Sequence, residues 1–138
     1  MADYYTVAHV TLDVGTEMNV KSALAWWQIG KRTVDGDDIP FREEFKVLRL
    51  DDSTCIHIGS NDGTFNPDAV INFVYLCASI FKLTGKWGFA YANVCDPPRP
   101  NGFGGGAILL DLAGDPESPG CVLHLSTSAW LEEHLAPT

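Results

Sequence analysis

Positive charge is scarce in this chain: nine Lys and Arg stand against eighteen Asp and Glu in 138 residues, a formal charge of −9. Such a surface is poorly matched to a nucleic-acid backbone or an anionic membrane, so direct binding to either drops out of the expected functions. Long apolar runs are missing too, since the longest, Ala69 to Leu83, is too short to span a bilayer. Met1-Ala2-Asp3-Tyr4 carries neither the basic region nor the cleavage signal of a secretory leader, and a cytosolic location is the expectation. The four cysteines, Cys55, Cys77, Cys95 and Cys121, are scattered without a Cys-x-x-Cys pair and read as reduced thiols. What is present is core material. At 46% hydrophobic and 11% aromatic, the chain is too apolar for a disordered acidic tail and supports one globular domain over residues 1–138.

The apolar periodicity lays out the elements. Residues Tyr4 to Val14 alternate, with Thr6, Ala8, Val10, Leu12 and Val14 on one face, which describes a long half-buried strand. Val20, Ala23, Leu24 and Trp27 form a helical stripe over about residues 17 to 29, ended by Gly30. Asp35-Gly36-Asp37-Asp38-Ile39-Pro40 is a turn cluster expected to be a solvated loop. Phe45 to Leu50 and Thr54 to Ile58 read as a hairpin, with a helical start possible at Glu43 and Glu44. Asn66 as N-cap, Pro67 at the first helical position and Asp68 at the positive end of the dipole open a helix over 67 to 84, with Gly85 as the expected αL cap.

Trp87, Phe89 and Tyr91 alternate with Gly88, Ala90 and Ala92, a strand whose small face is expected to lie under a helix. Asp96 to Gly106 is too rich in Pro and Gly for regular structure. Ala107 to Leu112 and Cys121 to Leu125 follow as strands, and Ser128 opens a last amphipathic helix. The order is β-α-β-β-α-β followed by β-β-α. This predicts an α+β fold with a ferredoxin-like core, an antiparallel sheet with its helices on one face.

Four groups of residues invite a chemical reading. His9-Val10-Thr11 and His124-Leu125-Ser126 each place a histidine and a hydroxyl on one strand face. The spacing resembles that of two-histidine phosphoesterases, in which paired imidazoles act as general acid and base, so His9, Thr11, His124 and Ser126 are the catalytic candidates of an enzymatic alternative. The competing reading is four ordinary half-exposed strand side chains. Phe103-Gly104-Gly105-Gly106 has the composition of a phosphate-cradling loop but runs into a strand and has no following Lys-Ser/Thr, so close packing against a neighbour explains the glycines better. A zinc site would have to combine Cys55, His57, Cys121 and His124, and neither spacing suits a finger or ribbon; no metal and no cofactor are expected. Trp26 and Trp27 diverge by about 100° around a helix, so one of them should be exposed or covered by a partner.

Tyr4-Tyr5-Thr6, Trp87-Gly88-Phe89, Cys95-Asp96-Pro97-Pro98-Arg99, Phe103-Gly104-Gly105-Gly106-Ala107 and Ser126-Thr127-Ser128-Ala129-Trp130-Leu131-Glu132 resemble segments of a group of small bacteriophage and prophage proteins. The likeness covers the first strand and residues 87 to 133. It implies a mobile-element origin, and with it the host cytosol as location, but carries no activity, substrate or catalytic residue.

The leading expectation is a non-enzymatic interaction protein that inhibits a host protein with a basic surface, in nucleic-acid-handling or defence machinery of the anti-CRISPR kind. Complementary charge would speed that encounter. The candidate contacts are Asp35, Asp37, Asp38, Asp51 and Asp52 in two turn segments, with Arg99 and Phe103 in the Pro/Gly-rich loop. The same carboxylates could serve solubility alone. A third reading is an accessory structural protein working as a homodimer or larger homo-oligomer, through an open sheet edge or an exposed Trp.

Overall fold

The computed structural model describes residues 3–96, 104–114, 121–127 and 133–135. They form an α+β fold with antiparallel sheets. The expected first strand is present as two, β1 (Asp3–Val7) and β2 (His9–Asp13), because the chain changes partner at Ala8. There the Ala8 N–H donates to Ser60 Oγ (2.8 Å) and the Ala8 carbonyl accepts from the Ser60 N–H (3.0 Å), so Ala8 joins neither ladder. Alternation survives the break. Ala8, Leu12 and Val14 are buried, while Val7, His9, Thr11 and Asp13 face outward.

Helix α1 (Glu17–Ile29) opens on Thr16, whose Oγ accepts the Asn19 N–H at 3.0 Å. It closes at Gly30, where a Cβ would sit 2.3 Å from the Trp26 carbonyl oxygen, so only glycine fits. The expected loop at 35–40 is instead the tip and second strand of a hairpin, β3 (Lys31–Val34) and β4 (Asp37–Pro40). Asp35 and Gly36 both take positive φ, 52° and 85°, as a two-residue turn with the twist of a hairpin requires. A short α2 (Phe41–Glu44) leads into β5 (Lys46–Arg49) and β6 (Cys55–Gly59), which pair as the predicted hairpin.

Helix α3 (Pro67–Phe81) has the expected Asn66 cap, with Oδ1 accepting the Asp68 N–H. It stops three residues earlier than predicted, because Lys82 rather than Gly85 takes the left-handed cap conformation at φ 56°. Ile80 is consequently on the exposed side of the last turn. Strands β7 (Lys86–Asp96), β8 (Gly104–Asp111) and β9 (Val122–Ser126) complete the order. Gly104 to Gly106, expected in the loop, belong to β8, and of the predicted C-terminal helix residues 133–135 are helical.

The ladders run β1-β7-β8-β9 and β2-β6-β5, every pair antiparallel, with β3-β4 apart. Where β2 and β7 diverge, the Trp87 indole N–H bridges the gap to the Thr11 carbonyl (2.8 Å). On β7 the large residues turn inward: Phe89 is buried edge-on against Phe65, with centroids 5.5 Å apart, while Ala90 and Ala92 are exposed. The small face therefore lies outside, not under a helix, because α3 packs on the other side, where the Tyr75 hydroxyl donates to the Asp111 and Cys121 carbonyls, each at 2.9 Å.

Both tryptophans of α1 are used within the fold. Trp26 stacks on Phe81 of α3 (5.1 Å, 16°), and Trp27 Nε1 donates to the Phe45 carbonyl (2.9 Å). The centre of the core is an aromatic triad of Phe41, Phe45 and Phe73, with ring centroids 5.4 to 5.8 Å apart. Beside it lies Glu44, the single buried charged side chain among the described residues. Its carboxylate accepts Arg32 Nε and Nη2, each at 2.8 Å, and Asn66 Nδ2 at 3.1 Å.

Two outcomes follow for stability. Phe73→Ala removes the ring shared by both partners of the triad and is expected to cost about 3–5 kcal/mol in chemical denaturation. Glu44→Ala leaves the Arg32 guanidinium without its carboxylate and is expected to cost about 3–5 kcal/mol as well, while Glu43→Ala, on the exposed side of the same short helix, leaves the midpoint in place.

Candidate functional site

The outward faces of the two main sheets differ in character. On β2-β6-β5 the outward positions are mostly polar, His9, Thr11, Asp13, Cys55, His57 and Lys46, with exposed Leu48 opposite His57. His9 lies opposite Gly59, and a Cβ there would come within 2.7 Å of His9 Nδ1. The missing side chain lets the two rings meet, with His9 Nδ1 and His57 Nε2 at 3.2 Å and the rings 19° from parallel. One imidazole must donate and the other accept. Burial first, then the nearby His9 and Lys46, hold the His57 pKa below its ordinary value. Asp13 is engaged locally, accepting from the Gly15 N–H and the Thr54 hydroxyl.

His124 lies elsewhere. It pairs with buried Ile108 across β8-β9 and so projects from the inward face, where its Nε2 shares a hydrogen bond with the Tyr91 hydroxyl (2.5 Å). Gly106 makes that reach possible, because a Cβ there would lie 2.9 Å from the Tyr91 oxygen. Burial, and secondarily Asp68, raise the Tyr91 pKa and keep its proton in place. Ser126 shares the inward side with His124, whereas His9 and Thr11 point outward. The two His-x-hydroxyl segments stand on different ladders, and each imidazole meets another ring, His9 with His57 and His124 with Tyr91, so the structure shows no contact that brings the two segments together.

Among the described residues no three His, Cys, Asp or Glu side chains gather as a metal site. Cys55 and His57 do share a face of β6, but Cys121 lies opposite Asp111 of β8, in the other ladder. Cys77 is buried in α3, and burial pushes its thiol up to about 12. A cavity of about 630 Å³ along the end of α3 has Lys82 as its one charged lining residue and offers no acid–base pair.

The acidic candidates fall in two different chain segments. Asp35 and Asp37 lie at the β3-β4 turn, and Asp38 is held by Lys31 Nζ (2.8 Å) and the Thr33 hydroxyl (2.7 Å), which lower its pKa. Asp51 and Asp52 follow the far end of β5, with Asp52 at φ 51°. Asp35 and Asp52 thus occupy positive-φ turn positions that aspartate tolerates, which accounts for their presence without a partner. Arg99 and Phe103 lie outside the described residues.

Sequence reasoning missed the outward face of β7-β8-β9. Register places Gly88, Ala90, Ala107, Leu109, Leu123 and Leu125 there together. Leu109, Leu123 and Leu125 are 42%, 52% and 55% exposed, around a shallow depression of about 450 Å³ floored by Gly88 and Ala107. The signal was available in the small-residue alternation of β7, but assigning that face required knowing on which side α3 packs. No family model, curated protein or solved structure matches this chain. Among the described residues no helix is long and apolar enough to cross a membrane.

His57 supplies a pH test. With a folded pKa below the ordinary 6.5, its contribution to stability is full above that value and is lost as pH falls through the folded pKa. In an NMR titration His9→Ala is expected to move the His57 pKa upward yet leave it below 6.5, because desolvation is the larger cause.

Proposed function

We propose that this chain is a non-enzymatic interaction protein that docks a partner protein on the outward face of β7-β8-β9. The observation that carries this reading is the exposed leucine triad, Leu109, Leu123 and Leu125, on a floor of glycine and alanine. Contiguous exposed apolar surface in a soluble chain marks a contact site, and small residues beneath it let another protein's side chains approach the backbone. The net charge of −9 favours a partner with a basic surround, through the rate of encounter more than through affinity. Exposed Asp35, Asp37, Asp51 and Asp52 contribute to that field, whereas Asp38 is largely neutralised by Lys31. The resemblance to bacteriophage and prophage proteins makes host nucleic-acid-handling or defence machinery the first partner class to test, with inhibition as the outcome of docking.

The strand pairing also supports a ferredoxin-like core as the finer fold reading. If β1 and β2 are one bent strand, it lies between β7 and β6 with β5 beyond β6, the order 4-1-3-2 of that fold, and β8-β9 extend it on the β7 side.

The test is Leu109→Asp, placed on β8 at the middle of the face. In pull-downs from lysate of a bacterial host, partners retained by the wild type are expected to be lost by this variant with its melting temperature nearly unchanged. Replacing Asp35, Asp37, Asp51 and Asp52 by Asn is expected to slow association and flatten its salt dependence. Equal capture by wild type and Leu109→Asp would reject the face as the docking site.

A further inference from the structure

His9 and His57 come together on the outward face of β2-β6 although neither stands opposite the other. His9 pairs with Gly59 and His57 with Thr11, so the two are diagonal neighbours, about 7–8 Å apart at the backbone. Their side chains close that distance until His9 Nδ1 lies 3.2 Å from His57 Nε2. Gly59 leaves the room for this contact, since a Cβ there would lie 2.7 Å from His9 Nδ1 and 2.9 Å from His57 Cε1. His9 is exposed and His57 half-buried, so solvent reaches the pair from its outer side.

A hydrogen bond between two neutral imidazoles is a small reason for such convergence, because on an open face each nitrogen can bond to water instead. The spacing also suits a shared metal ion. Two nitrogens that each lie about 2.0–2.1 Å from a tetrahedral Zn²⁺ are about 3.3 Å apart, close to the separation of His9 Nδ1 and His57 Nε2. Small turns about χ2, a soft torsion in histidine, aim both lone pairs at one ion. Neutral imidazole suits zinc, copper and nickel, whereas calcium and magnesium call for oxygen ligands that the pair does not offer. Cys55 and Asp13 share this face, yet no third His, Cys, Asp or Glu gathers with the pair among the described residues.

The geometry points to a two-histidine site for a divalent transition-metal ion, held by His9 Nδ1 and His57 Nε2 over Gly59, with water completing its coordination on the solvent side. Binding to the neutral pair releases no proton. The ion takes the place of the hydrogen shared by the rings, that proton moves through water to the outer nitrogen of the ring that carried it, and both imidazoles stay neutral with His9 Nε2 and His57 Nδ1 protonated. Charge acts in both directions: the chain at −9 attracts a cation from a distance, while exposed Lys46, paired with Gly59 from the β5 side, opposes it nearby. Two protein ligands and an adjacent ammonium make this an exchangeable site and not a structural one. It does not depend on the leucine face, which belongs to the other ladder.

Calorimetric titration of the tag-free chain with Zn²⁺ at neutral pH, with NMR of the imidazole resonances alongside, tests the site. The wild type is expected to take up the ion saturably, with the His9 and His57 rings shifting first, and to show no response to Mg²⁺. His9→Ala and His57→Ala are each expected to weaken Zn²⁺ binding about tenfold or more, while His124→Ala leaves it unchanged. The ring shifts are read on the wild type, so the site is tested even where a variant fails to fold. No saturable uptake up to millimolar Zn²⁺, first shifts at His124 or the thiols instead of His9 and His57, or a folded His9→Ala or His57→Ala that binds as tightly as the wild type would overturn the proposal.

Discussion

The Glu44 carboxylate is the constraint on which the arrangement of helices and hairpin depends. A buried carboxylate is tolerable only when its oxygens are filled, and here Arg32 from β3 supplies two donors and the Asn66 side chain a third. Asn66 is also the N-cap of α3, and its own N–H donates to the Glu44 carbonyl (2.9 Å). One residue thus ties the β3-β4 hairpin, the short α2 and the start of α3 to one another. Its hydrogen bonds raise the pKa of Arg32, already the most basic kind of side chain. The aromatic triad packs from the same short helix, because Phe41 and Phe45 flank Glu44 and close on Phe73 of α3.

A second constraint, the handover at Ala8, decides what the outward surface looks like. Ser60 occupies both backbone groups of Ala8, which releases β1 to pair with β7 and β2 with β6. Alternation is kept through the break, so the odd-numbered residues from Val7 to Asp13 all face outward. The outer layer then differs by strand: mostly polar on β2-β6-β5, where the two histidines meet over Gly59 beside exposed Leu48, and mostly apolar on β7-β8-β9, where Lys86 and Asp111 pair at one end. His124, one strand position from two exposed leucines, is on the inward side with Tyr91 because of the same alternation.

Much of this was legible in the residues. Asn66 announces its helix by cap chemistry, and the alternation of residues 4 to 14 separates core from surface; the Thr16 cap of α1 emerged only from the structure. What could not be read was pairing and side. Nothing local distinguishes a strand with one partner along its length from one that changes partner at Ala8, since the cause, Ser60, is 52 residues away. His57 stood out only beside Cys55, because its contact with His9 depends on the β2-β6 register. The Asp35-Gly36 turn was present as a recognised hairpin signal and was outweighed by the surrounding carboxylates. For the strand at 87 to 92 the alternation was right and the side assigned to its small face was wrong, because sequence does not say which face a helix covers.

Charge and apolar surface are unevenly distributed over the described residues. The exposed carboxylates sit mainly in turns, where Asp35 and Asp52 satisfy backbone geometry and a solvated charge costs little. Leu109, Leu123 and Leu125 instead lie on regular strands, on a face whose charged strand positions, Lys86 and Asp111, pair with each other at one end. Solubility alone explains the first arrangement. It does not explain the second, because an outward strand position accepts Thr, Lys or Glu without disturbing the ladder. The exposed leucines are the feature on which the proposed docking rests, and the chain's −9 charge would bias which surfaces approach them.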